Sequence, residues 1–175
     1  MKDKGESSRV GKIPEPLNIL EGEARFRTLK EACDLAQQLA VHCPDYQSAV
    51  TGLIELMYNA IEHGNLGINY EEKSLLSREN RLDEEIERRL TSPEYAGRMA
   101  TIRWEQTATD IFFTIEDQGE GFDSAPYMEM SPDRVLHQHG RGIVMARHSC
   151  FSQLQYLGRG NRVRATISLL DDKKG

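Results

Sequence analysis

Three short strings, far apart along the chain, constrain the fold because each brings polar or glycine residues to a place where an apolar segment ends or begins. ELMYNAIEHGN runs from Glu55 to Asn65, EDQGEGFD from Glu116 to Asp123, and HGRGI from His139 to Ile143. The first string places a carboxylate and an amide on one helical face, and the other two strings contain glycine turns. Together these groups can bind a magnesium nucleotide. The sequence therefore predicts a fold that gathers the three strings around ATP.

The first string lies in a segment with the apolar periodicity of an amphipathic helix. Asp45 follows Pro44 and is the expected start of this helix. Glu55, Asn59 and His63 succeed one another at every fourth position, which predicts a line of polar side chains on one face. The opposite, buried stripe is expected to contain Val50, Leu53, Ile54, Met57, Ala60 and Ile61.

The chemistry of Asn59 and Glu55 suits a magnesium nucleotide. An asparagine amide oxygen is a hard, neutral ligand of the kind that magnesium accepts while it keeps several waters and bridges phosphates. A carboxylate one helical turn away can take a proton from an attacking hydroxyl or water. The alternative interpretation is that Glu55, Asn59, Glu62 and His63 form an ordinary solvated helix face.

The second string follows a predicted strand from Thr109 to Glu116, in which apolar residues alternate. Asp117 comes where this strand ends, and Gly119 and Gly121 allow the backbone to turn and a flat ligand to approach it. A carboxylate at such a turn can accept a hydrogen bond from an exocyclic amine, which would select adenine over guanine. The alternative is an ordinary hairpin turn.

The third string precedes a predicted helix that begins near Ile143 and ends near Phe151. Gly140 and Gly142 would free the unpaired N–H groups of this helix to face a phosphate, and Arg141 between them adds positive charge. The alternative is a plain junction between a loop and a helix.

The order and spacing of the three strings resemble those of the GHKL-type ATPase superfamily, which includes DNA gyrase, the heat-shock chaperone, histidine kinases and MutL. The resemblance extends from about Pro16 to Leu170. The asparagine box of that superfamily is matched by Glu55 to Asn59, its aspartate-glycine box by Asp117, Gly119 and Gly121, and its second glycine box by Gly140 and Gly142.

The resemblance implies a role for each matched residue. Asn59 would ligate Mg²⁺, Glu55 would act as general base, and Asp117 would bond the adenine amine. The segment Gly140 to Gly142, with Arg141, would close over the phosphates. Further nucleotide contacts are expected from His63, Gly119, Gly121, Phe122, Ile143, Asn161 and Thr166.

Two departures limit this comparison. Many relatives place a threonine after the glycine that opens the last strand, whereas here Gly160 is followed by Asn161, so the corresponding adenine contact is in doubt. A further stretch, about Asn69 to Gly97, stands where compact kinases of this type have a short connection.

Within the superfamily, the asparagine box running into HGN and the lack of an appended domain look most like bacterial anti-sigma-factor serine/threonine kinases. This resemblance implies a kinase that phosphorylates a small antagonist (anti-anti-sigma) protein and that can sequester a sigma factor or another regulator. Two alternatives stay open: a nucleotide-gated protein-binding switch with little or no phosphotransfer, and a stand-alone histidine-kinase-like ATPase module.

Charge and cysteine content restrict the partners and the compartment. The 22 Lys and Arg residues against 28 Asp and Glu give a net charge of −6, which disfavours direct nucleic-acid binding because phosphate neutralisation needs a basic surface. Cys33, Cys43 and Cys150 lack metal-ligand spacing and indicate free thiols in a reducing compartment. No apolar run approaches a membrane span. We therefore expect a cytoplasmic protein without membrane contact.

The expected organisation is a flexible tail at residues 1–15 and one domain at 16–175. Its order of strands and helices predicts an α/β (α+β) two-layer sandwich, with a mixed, mainly antiparallel sheet and helices on one face. Residues 123–140 are expected to form a lid over ATP, the alternative being a variable loop.

The further stretch, residues 69–97, contains the charged segment Glu71 to Leu90, which predicts one solvated helix. Its thin apolar seam contains Leu75, Leu82, Ile86 and Leu90 and is expected to pack within the domain. The alternative is contact with a partner or with a second copy of the chain in a homodimer.

Overall fold

The computed structural model describes residues 20–121 and 151–170. The predicted tail, the predicted lid and the third string all lie outside these ranges. Within them the elements are β1 (Glu21–Phe26), α1 (Leu29–Ala40), α2 (Tyr46–Asn59), a π-helical segment (Ala60–Asn65), α3 (Tyr70–Arg78), α4 (Leu82–Thr91), β2 (Ala100–Gln106), β3 (Asp110–Glu116), β4 (Gln153–Leu157) and β5 (Arg162–Ser168).

The strands of the described ranges form one five-stranded sheet in the order β1-β2-β3-β5-β4. Every neighbouring pair in it is antiparallel, so this part of the sheet is simpler than the mixed sheet expected. The combination of this sheet with helices is the predicted α+β fold. Because β3 and β5 are central neighbours, the turn after β3 meets the turn before β5, and Glu116 pairs with Arg162 at that end.

The core forms where strand alternation and helix periodicity meet. Ile111, Phe113 and Ile115 of β3 are at most 1% exposed, as the alternating pattern predicts. Leu53 and Met57 of α2 belong to the same buried cluster and are fully buried. Burying each such side chain contributes about 1.5–3 kcal/mol, so the apolar face of α2 fixes the helix against the sheet.

Side-chain caps define where the first two helices begin. Thr28 and Glu31 form a reciprocal capping box at α1. Asp45 caps α2, as predicted, and accepts a hydrogen bond from the Ser48 amide at 3.1 Å. These caps pair backbone N–H groups that would otherwise lack partners, so the ends of both helices are set locally by sequence.

The helix that carries the first string changes its winding at Ala60. The Leu66 amide donates to the Ile61 carbonyl at 2.8 Å, five residues back, which is the π-helical pattern. The segment beyond Asn59 is therefore π-helical and not α-helical as expected, although Asn59 and His63 still line one cavity. The alternative interpretation, a solvated face that includes Glu62, is wrong at this residue, which is only 3% exposed.

The charged segment forms two helices, not the single helix expected. Asn80 adopts a φ of 54° between α3 and α4, and this left-handed residue ends the first helix. The break changes the helical phase, so Leu75 is 50% exposed and Leu76 packs in its place. Ile86 and Leu90 are buried in the core of the domain, which confirms packing within the chain for this part of the seam.

The length and the polarity of a helix decide whether it can cross a membrane. In residues 20–121 and 151–170, no helix combines the length and the apolar character that a bilayer crossing requires.

Candidate functional site

A cavity of about 690 Å³ lies between the end of α2, the segment after it and the sheet. Asn59 and Asp117, from the first and second strings, both line it. Ile115 and Val163 give it an apolar floor from the two central strands. A largely apolar pocket with a few polar groups is the usual form of a small-molecule site, and the volume is ample for a nucleoside.

Backbone and side-chain hydrogen bonds hold Asp117 at the end of β3. Its amide donates to the Asn161 carbonyl at 3.0 Å, and the Asn161 side-chain amide donates to the Asp117 carbonyl at 3.0 Å. The carboxylate Oδ1 of Asp117 accepts from the Gly119 amide at 2.8 Å. Asn161 lines the cavity, and its amide nitrogen also fixes the backbone of Asp117.

Burial changes the ionisation of Asp117. Loss of solvent raises the pKa of this carboxyl to about 6, against the opposing effects of the Gly119 N–H group and the Arg159 charge. The carboxyl is therefore mostly ionised at neutral pH and mostly protonated below pH 5. It can serve as a charged acceptor for an exocyclic amine at neutral pH, which is the role that the sequence predicts for it.

Two glycines allow the approach of the first and second strings. A Cβ atom on Gly64 would lie within 2.6 Å of all three atoms of the Asp117 carboxyl group. A Cβ atom on Gly119 would lie within 2.8 Å of the Gly64 carbonyl group. The Gln118 amide also donates to Asn65 Oδ1 at 2.8 Å. The HGN end of the first string therefore packs directly against the aspartate-glycine turn.

His63 lines the cavity as a neutral side chain. Burial lowers its pKa to about 4, so the ring is uncharged at physiological pH. Its Nδ1 donates to the Ile68 carbonyl, and the ring stacks on Tyr70 with centroids 4.6 Å apart. His63 can therefore offer an apolar ring surface to a ligand but no positive charge.

Asn59 and Glu55 occupy the last two turns of α2. Asn59 lines the cavity, whereas Glu55, one turn earlier, is half-buried and lies outside the cavity lining formed by residues 20–121 and 151–170. No group of three or more His, Cys, Asp or Glu residues in those ranges can hold a metal ion alone. A single amide ligand fits magnesium, which takes its other ligands from phosphates and water.

The other predicted nucleotide contacts fall into three groups. Gly121 lines the cavity with a φ of 84°, while Gly119 is buried and donates its amide to Asp117 Oδ1. Thr166 is a correction: it lies on the opposite face of β5 from Val163 and does not line the cavity, because side chains alternate along a strand. Phe122 and the segment Gly140–Ile143, with Arg141 and Gly142, lie outside the described residues.

Several cavity residues were missed from the sequence. Tyr70, Tyr95 and Arg98 line one side, and Tyr156 lines another. Gly64 was also missed, although the string HGN gave a signal for it. The tyrosines gave none, because their place at the cavity depends on how residues 69–97 fold back over the site.

Comparison with known proteins agrees with this geometry. Residues 22–167 match the family described as the histidine kinase-like ATPase domain. The chain belongs to that family. No curated protein matches it significantly in sequence.

Family and cavity together define the general activity. The chain is an ATP-binding module of the GHKL type, and ATP is its substrate. Asn59 and Asp117, the two polar residues that a single cavity was expected to bring together, do line one cavity.

The pKa of Asp117 predicts how nucleotide affinity depends on pH. An ionised carboxylate is the better acceptor for the adenine amine, so affinity should rise from pH 5 to pH 7 with a midpoint near pH 6. About one carboxyl in ten is ionised one unit below the pKa, which predicts about 10-fold weaker binding at pH 5. Titration calorimetry with adenosine, which carries no phosphate, measures this.

Asp117→Asn is the matched control for this titration. Asparagine replaces one of the two carboxylate oxygens by an NH2 donor, so the side chain cannot present acceptors both to the Gly119 N–H group and to the adenine amine, and affinity should fall about 10- to 100-fold. The remaining binding should not change between pH 5 and pH 7, since His63 titrates lower, at about 4. An unchanged pH dependence in this variant would show that another group titrates.

Proposed function

We propose that the protein is a serine/threonine kinase of the anti-sigma-factor type. It transfers the γ-phosphate of ATP to a hydroxyl of a small antagonist protein, and it binds a sigma factor or another regulator as its second partner. The proposal places the protein in the cytoplasm. Its support is the resemblance of the first string, from Glu55 through HGN, to kinases of that kind, together with membership of the ATPase family.

One observation carries the proposal. The helix that brings Asn59 to the cavity also presents Glu55 one turn earlier, half-buried and outside the cavity lining of the described residues. A carboxylate in that place can meet a hydroxyl that arrives from outside the nucleotide cavity. This arrangement suits transfer to a second protein, because the acceptor does not have to enter the nucleotide cavity.

Each residue has one proposed task. Asp117 binds the adenine amine, and Asn59 would hold Mg²⁺. Magnesium, when bound, supplies positive charge that stabilises charge developing on the transferred phosphate. Glu55 accepts the proton of the attacking hydroxyl. Arg141 and the glycines beside it are proposed to contact the phosphates.

A labelled-phosphate assay tests the proposal directly. The protein is incubated with γ-labelled ATP, Mg²⁺ and candidate antagonist proteins, and the products are separated on gels after acid treatment and after alkaline treatment. Phosphoserine and phosphothreonine survive acid, whereas phosphohistidine does not. We expect acid-stable label on the antagonist and none on the kinase itself.

Two outcomes would replace the proposal. Acid-labile label on this chain or on a partner would indicate histidine-kinase chemistry. Tight ATP binding with no labelled protein, together with partner capture that differs between ADP and ATP, would indicate a nucleotide-gated switch. The protein captured in this experiment would also identify the partner.

A further inference from the structure

The segment Asn69–Gly97, which we call the insert, forms one side of the nucleotide cavity. Tyr70 and Glu71 from the start of α3 line it, as do Glu94 and Tyr95 after α4. Arg98, directly after the insert, lines the same side and lies 5.2 Å from the ring of Tyr95. A charged helix is usually solvated, so the position of the insert at this cavity depends on contacts with the rest of the domain.

Three basic side chains supply those contacts. Lys73 forms an ion pair with the buried Glu62. Arg89, itself only 9% exposed, donates to the Leu66 carbonyl at 2.8 Å. Arg98 donates to the Asn65 carbonyl at 3.0 Å.

These cations all bind the end of the helix that carries the first string. A helix C-terminus has unpaired carbonyl groups and a partial negative charge, so it attracts positive side chains. One ion pair, from Lys73, and two hydrogen bonds to backbone carbonyls, from Arg89 and Arg98, join the insert and the residue directly after it to residues 62–66. The insert is therefore fixed to the same segment that places Gly64 against Asp117.

Tyr70 lies beside His63 in the wall of the cavity. Its ring stacks on His63 with an interplanar angle of 16°, and both residues line the cavity. His63 directly precedes Gly64, where an added Cβ atom would lie within 2.6 Å of the Asp117 carboxyl atoms. The Tyr70 ring therefore lies on the same side of the cavity as Asp117, the proposed adenine acceptor.

We propose that the insert is a nucleotide-binding element and that Tyr70 packs its ring against the adenosine part of the bound nucleotide. The proposal rests on the ATP site described above and identifies a contact that the short connection of compact kinases would not provide. An aromatic ring held by stacking on His63 offers a flat apolar surface at low entropic cost. The phosphates need no contact with Tyr70 in this arrangement.

Binding measurements on three variants test the contact. Removing an aromatic stacking partner weakens nucleotide binding by about 5- to 100-fold. The affinity of Tyr70→Ala for adenosine, AMP and ATP should therefore fall by the same factor in each case. Tyr70→Phe keeps the ring and should bind as the wild type does. Tyr46→Ala is the control, since Tyr46 is 43% exposed at the start of α2 and does not line the cavity.

Photolabelling of the wild-type protein gives an independent readout. With 8-azido-ATP, the reactive group sits on the purine, so the label should appear on the peptide that contains Tyr70 and should disappear when excess ATP competes. This test works even if Tyr70→Ala fails to fold. A purely structural role for Tyr70 would leave its peptide unlabelled.

Several results would overturn the proposal. They are wild-type adenosine affinity in Tyr70→Ala, a loss in Tyr70→Phe as large as in Tyr70→Ala, or purine photolabel confined to the sheet segments. None of these measurements involves a phosphoacceptor. A negative phosphate-transfer assay would therefore leave the Tyr70 contact untouched. Unchanged nucleotide binding in Tyr70→Ala would likewise leave the kinase assignment untouched.

Discussion

Glu55→Gln is expected to lower the rate of phosphate transfer by about 10²- to 10⁴-fold, the usual contribution of a positioned general base. Glutamine keeps the size of the side chain but cannot accept a proton. ATP affinity should stay within about twofold of the wild-type value, since Glu55 does not line the cavity formed by residues 20–121 and 151–170. Single-turnover transfer with labelled ATP measures the rate, and calorimetry measures the affinity.

The matched control is Glu87→Gln, which removes one carboxylate from the exposed face of α4. It should leave both the transfer rate and the affinity at wild-type values. If Glu55→Gln transfers phosphate at the wild-type rate, Glu55 is not the base. If it loses ATP binding to the same extent as transfer, its role is in building the site and not in proton transfer.

Much of the fold follows from local pattern. Alternation in β3 correctly predicts the burial of Ile111, Phe113 and Ile115, and alternation in β5 does the same for Val163 and Ala165. Asp45 is recognisable as a cap because its side chain needs only the amide of Ser48. These features depend on neighbours close in sequence, so one sequence is enough to predict them.

The features that sequence reasoning missed depend on contacts between distant segments. The π-helical turn is accompanied by cations that reach it from residues 73, 89 and 98. The break at Asn80 depends on a left-handed conformation that single-residue propensities predict poorly. Thr166 was expected as a contact from the family resemblance alone, and the alternation of side chains along β5 places it on the face opposite Val163.

The candidate site shows the same division. Asn59 and Asp117 could be named from their strings, because the order and spacing of the three strings together resemble those of the ATPase superfamily. Tyr70 and Tyr95 could not, since the two residues reach the cavity only after α3 and α4 fold back against residues 62–66. The sequence strings therefore predict the polar groups of the site, whereas the shape of the cavity wall depends on how residues 69–97 fold.

Gly64→Ala is expected to lower ATP affinity by about 100-fold, which corresponds to losing a charge-assisted hydrogen bond. The new Cβ atom would lie within 2.6 Å of the Asp117 carboxyl atoms, so this carboxyl must rotate away. The rotated carboxyl group then loses its hydrogen bonds to the Gly119 N–H group and to the adenine amine. Calorimetry with ATP and with adenosine measures the loss, which should be equal for the two ligands because it arises at the base.

The fold should survive this substitution, because the displaced atoms belong to a side chain that can rotate. Losing the bond to the Gly119 amide costs about 1–3 kcal/mol, offset in part by the better helix propensity of alanine. Gly119→Ala differs, since its Cβ atom would meet the backbone carbonyl of Gly64 and should lower the melting temperature more strongly. Gly97→Ala, which meets nothing within 4 Å, should change neither property. Wild-type affinity in Gly64→Ala would mean that Asp117 does not bind adenine from the position it occupies here.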